Sequence, residues 1–314
     1  MRTLPRLGPH ANYADVVSLE TAAGTRVELM RTCYHTQSFA RHTHDYFTLG
    51  VVLRGSGSLW FRGADRTLRL GDVVVIPPGE VHTGELGPHA DVLSYFAVHI
   101  PAEVLSVSAD AEGLRGGRVP DFARATIRDN VLGAELRRLD SAMQAPCIGR
   151  TNGMAGTTDD GAANEALNAA IGQLVRRRAG APQPRALTSA IREPVFVRTV
   201  REIITECYAD SAQTSLRALA LHAGVTPCHL VRVFTQTVGM SPHRYLVQTR
   251  VRHACQFLAR GIPSSFVAAM TGFVDQSHLT TQFKRYVGTT PASYQRGLAA
   301  SASRWEFREP VVSI

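Results

Sequence analysis

The chain has 314 residues, of which 44% are hydrophobic and 19% charged, and a formal net charge of +8. That length exceeds an ordinary single domain, so two domains are expected, each large enough to bury a core. The five cysteines (Cys33, Cys147, Cys207, Cys228, Cys255) are odd in number, scattered and without a Cys-x-x-Cys pair, which argues against a disulfide framework or a zinc module.

The N-terminus has no charged start followed by an apolar run, and no stretch approaches the ~20 apolar residues that cross a bilayer. A soluble cytoplasmic protein with no membrane partner is expected. The charge is unevenly shared. Between Ile191 and Leu298 lie 12 basic and 5 acidic side chains, an excess that accounts for nearly all of the total. A basic C-terminal part on a nearly neutral N-terminal one is the footprint of phosphate binding at one end. All the basic groups but Lys284 are Arg, suited to bidentate contacts with phosphate or guanine.

Residues 1–15, with Arg2, Pro5, Arg6 and Pro9, form an N-terminal arm. The pattern from Val16 to Ile100 is β, with runs at Arg26 to Met30, Phe47 to Leu53, Ser58 to Phe61, Thr67 to Leu70, Asp72 to Ile76 and Val92 to Ile100. Arg54-Gly55-Ser56-Gly57, Gly63-Ala64-Asp65, Gly71-Asp72 and Pro77-Pro78-Gly79 punctuate them as turns. Short, regular strands with tight turns predict a small barrel or double-sheet jelly roll.

Within this part, His42-Thr43-His44 followed about 40 residues later by Pro77-Pro78-Gly79-Glu80-Val81-His82 resembles a cupin. Cupin enzymes hold a metal with two His, a carboxylate and a third His. Here the positions four and five residues past His44 are Thr48 and Leu49, and Asp45, adjacent to His44 on a strand, points to the other face. Three histidines could still hold a divalent ion. The favoured reading is a sensory pocket lined by His42, His44, Tyr46, Trp60, His82 and Tyr95, suited to a small polar or aromatic effector and needing no cofactor or metal.

Two amphipathic helices follow. Asp129 to Met143 spaces Leu132, Leu136 and Leu139 by four and three, and Asn164 to Arg178 places Leu167, Ile171, Leu174 and Val175 likewise. Gln144 to Ala163, rich in Gly, Thr, Asn and Asp, reads as a loop. The cupin-like domain thus spans 16–180, and Gly180-Ala181-Pro182-Gln183-Pro184 opens a linker over 181–191.

The remainder, 192–298 with a tail over 299–314, is helical. Val195 to Tyr208 is an opening helix with Val197, Val200, Ile203 and Ile204 on one face. Ser215 starts a helix reaching His222, Gly224 makes a turn, and Thr226-Pro227 starts a second helix reaching Thr237. Leu230, Val233 and Phe234 fall on its core face, and Cys228, Val231 and Arg232 on its outer face. Ser241-Pro242 opens a long helix through Leu258. Ser264 to Met270 and an Asp275-capped helix then repeat the helix-turn-helix plan. There Leu279 and Phe283 point inward, and Gln276, Ser277, Thr280 and Thr281 are left outside. Gln276 suits adenine, the hydroxyls suit phosphates or less selective base contacts, and Lys284 at the far end suits phosphate.

Residues 194 to 297, with Gly272-Phe273, Phe283-Lys284, Gly288, Thr290-Pro291 and Tyr294, resemble the DNA-binding domain of the AraC/XylS family of bacterial transcription regulators, which often carry a cupin-like effector domain in front of it. The resemblance implies that Cys228, Val231 and Arg232 face bases and that His229 lies near the backbone. Thr281 stands where many members carry a long basic group. The predicted fold is α+β in two domains: a cupin-like β-barrel or jelly roll with following helices, and an all-α domain with two helix-turn-helix units. The predicted protein is a non-enzymatic, sequence-specific transcription regulator, an effector-responsive activator. Its partners are double-stranded promoter DNA, RNA polymerase, a small-molecule effector and a second copy paired through the stripes of Asp129 to Met143 or Asn164 to Arg178. The alternative is a cupin metalloenzyme fused to a DNA-binding domain.

Overall fold

The computed structural model describes residues 12–21, 24–36, 39–111, 125–144, 158–179 and 193–302. The first eleven residues of the predicted arm, most of the predicted loop, the linker and the tail beyond residue 302 lie outside the described residues. The chain divides into two compact units, one built on a sheet and one helical.

The strands are β1 (Tyr13–Glu20), β2 (Arg26–Tyr34), β3 (Tyr46–Phe61), β4 (Ala64–Arg69), β5 (Val73–Ile76), β6 (His82–Leu86), β7 (Leu93–Pro101) and β8 (Thr126–Ile127), of which all but the first part of β6 belong to the sheet unit. Their order is β1-β2-β7-β3-β5-β8, with β4 and β6 both pairing β3. The strands depart from the predicted ones at several places. β1 begins at Tyr13, inside the predicted arm, and pairs its whole length with β2. β6 has no predicted counterpart. The segment Arg54 to Gly57 is not a turn but the middle of the 16-residue β3, with a register shift between Val52 and Arg54.

The glycines in β3 serve close packing. A Cβ on Gly55, where φ is +75°, would lie 1.7 Å from the Val92 carbonyl oxygen, and one on Gly57 would lie 2.7 Å from that of Glu85. Each glycine lets a neighbouring strand approach where a side chain would block it.

Strand alternation gives the sheet two faces. On one, Phe47, Leu49 and Val51 of β3 stand beside Ile100, Val98 and Phe96 of β7, all nearly or wholly buried. Against β3 and β7 packs α2 (Asn130–Gln144), which also packs on α3 (Thr158–Ala179). Asp129 caps α2, its carboxylate accepting the N–H groups of Val131 and Leu132 at 3.1 Å. Arg31 of β2 ties α2 to the sheet at 3.5 Å from Asp140. The opposite face gathers Val52, Leu59, Phe61, Leu68, Ile76 and Leu93 into a second apolar cluster, with Tyr95 packed against it. A short helix missed in the sequence, α1 (Ala102–Ala111), follows β7.

The stripes predicted to pair two chains are consumed inside one chain. Leu132, Leu136, Leu139 and Leu167 are fully buried, and Ile171, Leu174 and Val175 are at most 2% exposed. Apolar side chains already removed from water within a monomer offer no further surface to a partner.

The helical unit contains α4 (Val195–Glu206), α5 (Leu216–His222), α6 (Pro227–Val238), α7 (Pro242–Ala259), α8 (Ser264–Met270), α9 (Gln276–Val287) and α10 (Pro291–Ala302). Val197, Val200 and Ile204 of α4 form one core with Leu219, Leu230, Phe234 and Leu246. α7, about 27 Å long at 1.5 Å per residue, runs between the two helix-turn-helix pairs and packs on α4, α6, α8, α9 and α10. At its C-terminal end Gln295 of α10 donates to the Leu258 carbonyl at 3.3 Å and to that of Ile262, just past the helix, at 3.1 Å.

Candidate nucleic-acid interface

Two 12-residue helices, α6 and α9, start and stop alike. Thr226 accepts the His229 N–H at 3.3 Å, and Asp275 accepts the His278 N–H at 2.7 Å. Both helices end at a glycine with φ of 83°, Gly239 and Gly288, where a left-handed residue closes the last turn cheaply. Each buries one stripe, Leu230 and Phe234 in α6 and Leu279 and Phe283 in α9, all 0% exposed. The opposite stripe of each faces outward.

On α6, Thr226, Cys228 and Arg232 are exposed and His229 and Val231 are half-buried. Arg232 is the one long polar side chain among these outward positions, and its Nη2 lies 3.2 Å from His229 Nδ1. On α9, Gln276, Ser277, Thr281 and Lys284 are exposed and Thr280 is half-buried. The amide of Gln276 donates to Ser264 Oγ at 2.9 Å. Thr280 and Thr281 donate their hydroxyls back to the Gln276 and Ser277 carbonyls at 2.8 and 3.0 Å. With the hydrogen so engaged, each hydroxyl offers an oxygen acceptor outward, which fits a base amino group better than a phosphate.

One basic group in the predicted phosphate footprint is not on the surface. Arg250 of α7 is 8% exposed and donates to the Tyr208 carbonyl at 2.7 Å and to Ser211 Oγ at 3.2 Å. Desolvation lowers its pKa. Arg250 therefore links α7 to the segment after α4. Arg198 and Arg201 lie in the same unit as acidic partners, at 4.0 Å from Glu202 and 3.0 Å from Glu193.

The predicted effector residues divide between the two units, His42 and His82 grouping with the helical one and His44, Tyr46, Trp60 and Tyr95 with the sheet. His42 and His82 exchange both backbone hydrogen bonds, at 3.0 and 2.9 Å, and their rings lie 4.1 Å apart. His44, Tyr46 and His99 form a separate stack, with 4.4 Å between His44 and Tyr46 and 4.4 Å between Tyr46 and His99. Tyr95 belongs to the apolar cluster. Its phenol is pushed up to about 12 by burial, and its ring lies 6.0 Å from that of Tyr34. Trp60 sits between Leu59 and Phe61, which both point into that cluster, so alternation turns Trp60 to the other side of the strand.

Thr48, the residue noted four positions past His44, puts its Oγ1 3.1 Å from His44 Nε2. Two residues of this group were missed in the sequence: His99, whose ring lies 6.4 Å from that of His44, and Glu28, 3.8 Å from His99. His99 falls inside the predicted strand Val92 to Ile100, and its phase relative to Tyr95 was the signal that could have found it. Among the described residues, no three His, Cys, Asp or Glu side chains are grouped so as to hold a metal ion. No helix among them is long and apolar enough to cross a membrane.

Comparison with known proteins matches residues 25–187 to the AraC-like ligand binding domain and residues 219–297 to a helix-turn-helix domain. The chain is 26% identical over 244 residues to the HTH-type transcriptional regulator YbfI of Bacillus subtilis, covering 77% of this chain and 82% of that one. It is 24% identical over 280 residues to the HTH-type transcriptional activator RhaR of Shigella dysenteriae, covering 84% and 89%. Among solved structures, an apo variant of ToxT from Vibrio cholerae aligns with 93% of this chain and all of that one, at 12% identity and a TM-score of 0.48. A ligand-binding domain model that covers more than half of the chain, followed by the helix-turn-helix domain, identifies the protein as a member of the AraC/XylS family of DNA-binding transcription regulators.

Proposed function

We propose that α6 and α9 read two stretches of one promoter, with Arg232 and Gln276 as the principal base contacts. The observation that carries this reading is the shared build of the two helices, each capped at its start, closed by a left-handed glycine and buried on one side, with Arg232 exposed on α6 and Gln276 exposed on α9. A guanidinium pairs with guanine O6 and N7, and a carboxamide with adenine N6 and N7, each worth about 1–3 kcal/mol of discrimination. Cys228 and Val231 supply apolar contact to thymine methyls. Ser277, Thr280 and Thr281 add acceptors, and Thr226 and Lys284 lie where the backbone passes.

In this reading the sheet unit binds a small-molecule effector beside the His44, Tyr46 and His99 stack. Effector binding shifts the balance between arrangements of the chain and so changes promoter occupancy. The protein works in the cytoplasm without a catalytic centre or cofactor. It contacts RNA polymerase and acts as a homodimer joined by a surface other than the buried stripes of α2 and α3. The activator RhaR, similar over most of both chains, supports activation as the sign of regulation.

Selection from a random duplex library with the full chain tests the reading. The expected product is a motif with two halves about one helical turn, ~34 Å, apart. Arg232→Ala flattens one half and Gln276→Ala the other. Selected sequences without a motif, unchanged by either substitution, would overturn it.

A further inference from the structure

We propose that His229 is a positioning residue that sets the plane of the Arg232 guanidinium before DNA arrives, and so a determinant of which base α6 accepts. This rests on the reading of α6 as a base-reading helix.

The two residues are three apart, so their side chains lie over neighbouring turns of the same face. Arg232 Nη2 donates to His229 Nδ1 at 3.2 Å, a charge-assisted bond that requires the imidazole to be neutral with its hydrogen on Nε2. The imidazole is itself held. His229 is half-buried, its ring centroid lies 5.9 Å from that of Phe196 on α4, and its backbone N–H is fixed by the Thr226 cap. Arg232, in contrast, is exposed. The rigid partner therefore orients the flexible one.

A guanidinium carries five N–H donors in one plane. One bond to Nδ1 leaves a pair of donors on an edge free for guanine O6 and N7, while the bond restricts rotation of the long side chain. An unanchored arginine must lose that freedom when it meets the base, and it can turn to a phosphate instead. Anchoring acts on the choice of base more than on overall affinity, because the phosphate contacts that supply most of the salt-dependent binding are elsewhere.

The experiment uses the full chain and measures relative affinity for duplexes that differ at the base pair flattened by Arg232→Ala, across a salt series. Discrimination is a ratio between sequences bound by the same folded molecules, so partial unfolding of a variant does not alter it. His229→Ala is expected to lower the ratio roughly three- to tenfold, at most about 1.4 kcal/mol, with the salt slope unchanged. His229→Asn, which keeps an acceptor at the place of Nδ1, is expected to restore much of it. In the Arg232→Ala background His229→Ala is expected to change the ratio no further, since the two act as a unit.

If His229→Ala instead weakens all sequences equally and reduces the salt slope by about one, His229 is a phosphate contact and the proposal falls while the reading of α6 stands. If Arg232→Ala leaves every base preference intact, the reading of α6 fails and the proposal fails with it.

Discussion

Arg250 brings a positive charge into the helical unit, where the Tyr208 carbonyl and the Ser211 hydroxyl accept its hydrogen bonds. Removing it leaves the Tyr208 carbonyl and Ser211 hydroxyl without their donor, and hydrogen bonds to a charged group contribute about 1.5–3 kcal/mol each. Arg250→Ala is expected to lower stability by about 3 kcal/mol in a denaturant titration, whereas Arg260→Ala, on an exposed position, is expected to change it by under about 0.5 kcal/mol. Gly272 bears on the same joint. Its φ is +75°, and a Cβ there would lie 2.6 Å from the Ala209 oxygen and 3.0 Å from Arg250 Nη2. Gly272→Ala combines left-handed strain with overpacking and is expected to cost about 2–5 kcal/mol. Gly272 was readable as a marker of the second helix-turn-helix unit. The burial of Arg250 was not, because Leu246 through Val251 of α7 are all buried and no polar face remains to set the helix phase.

Tyr34 and Tyr95 add a pH dependence at the same scale. Burial raises both phenols, Tyr95 from the usual 10.0 to about 12. The folded chain thus favours the protonated phenols. That preference stabilises it fully below pH 10.0 and is lost as pH rises through about 12. Melting temperature is expected to fall more steeply over that window for the wild type than for Tyr95→Phe.

At the scale of elements, capping chemistry was more legible than strand length. Ser215, Thr226-Pro227, Ser241-Pro242 and Asp275 each mark a helix start, and each of these side chains accepts a first-turn N–H. Local signals sufficed there because a cap is a contact between residues three apart. Asp275→Ala is expected to cost about 1 kcal/mol of stability and to weaken the base preferences of α9 while leaving those of α6 unchanged. β3 defeated the same kind of reading. Gly55 and Gly57 looked like a turn, yet the need for glycine comes from Val92 and Glu85, distant in sequence and invisible to local pattern. For the same reason the stripes of α2 and α3 were recognisable as apolar but not as already covered. Leu136→Ala is expected to cost about 2–5 kcal/mol of folding stability and to leave the sedimentation of the remaining folded protein unchanged.

For the whole molecule, family, fold class and the order of the two units were present in the sequence, while the grouping of effector residues was not. His42 and His82 came together as their spacing suggested. His44, two residues before β3, acquired Tyr46 and Thr48 from that strand but His99 from β7, and Glu28 stands by His99 from β2. Only the pairing register brings those strands side by side. The account stands or falls on whether two outward-facing helices of one chain read defined bases. The most direct measurement is a genome-wide map of DNA bound by the intact protein, repeated with Arg232→Ala and Gln276→Ala. A small set of promoter-proximal sites sharing a motif, with each substitution relaxing different positions of it, is the predicted result. Salt-sensitive occupancy spread over the genome without a motif, and indifferent to both substitutions, would contradict it.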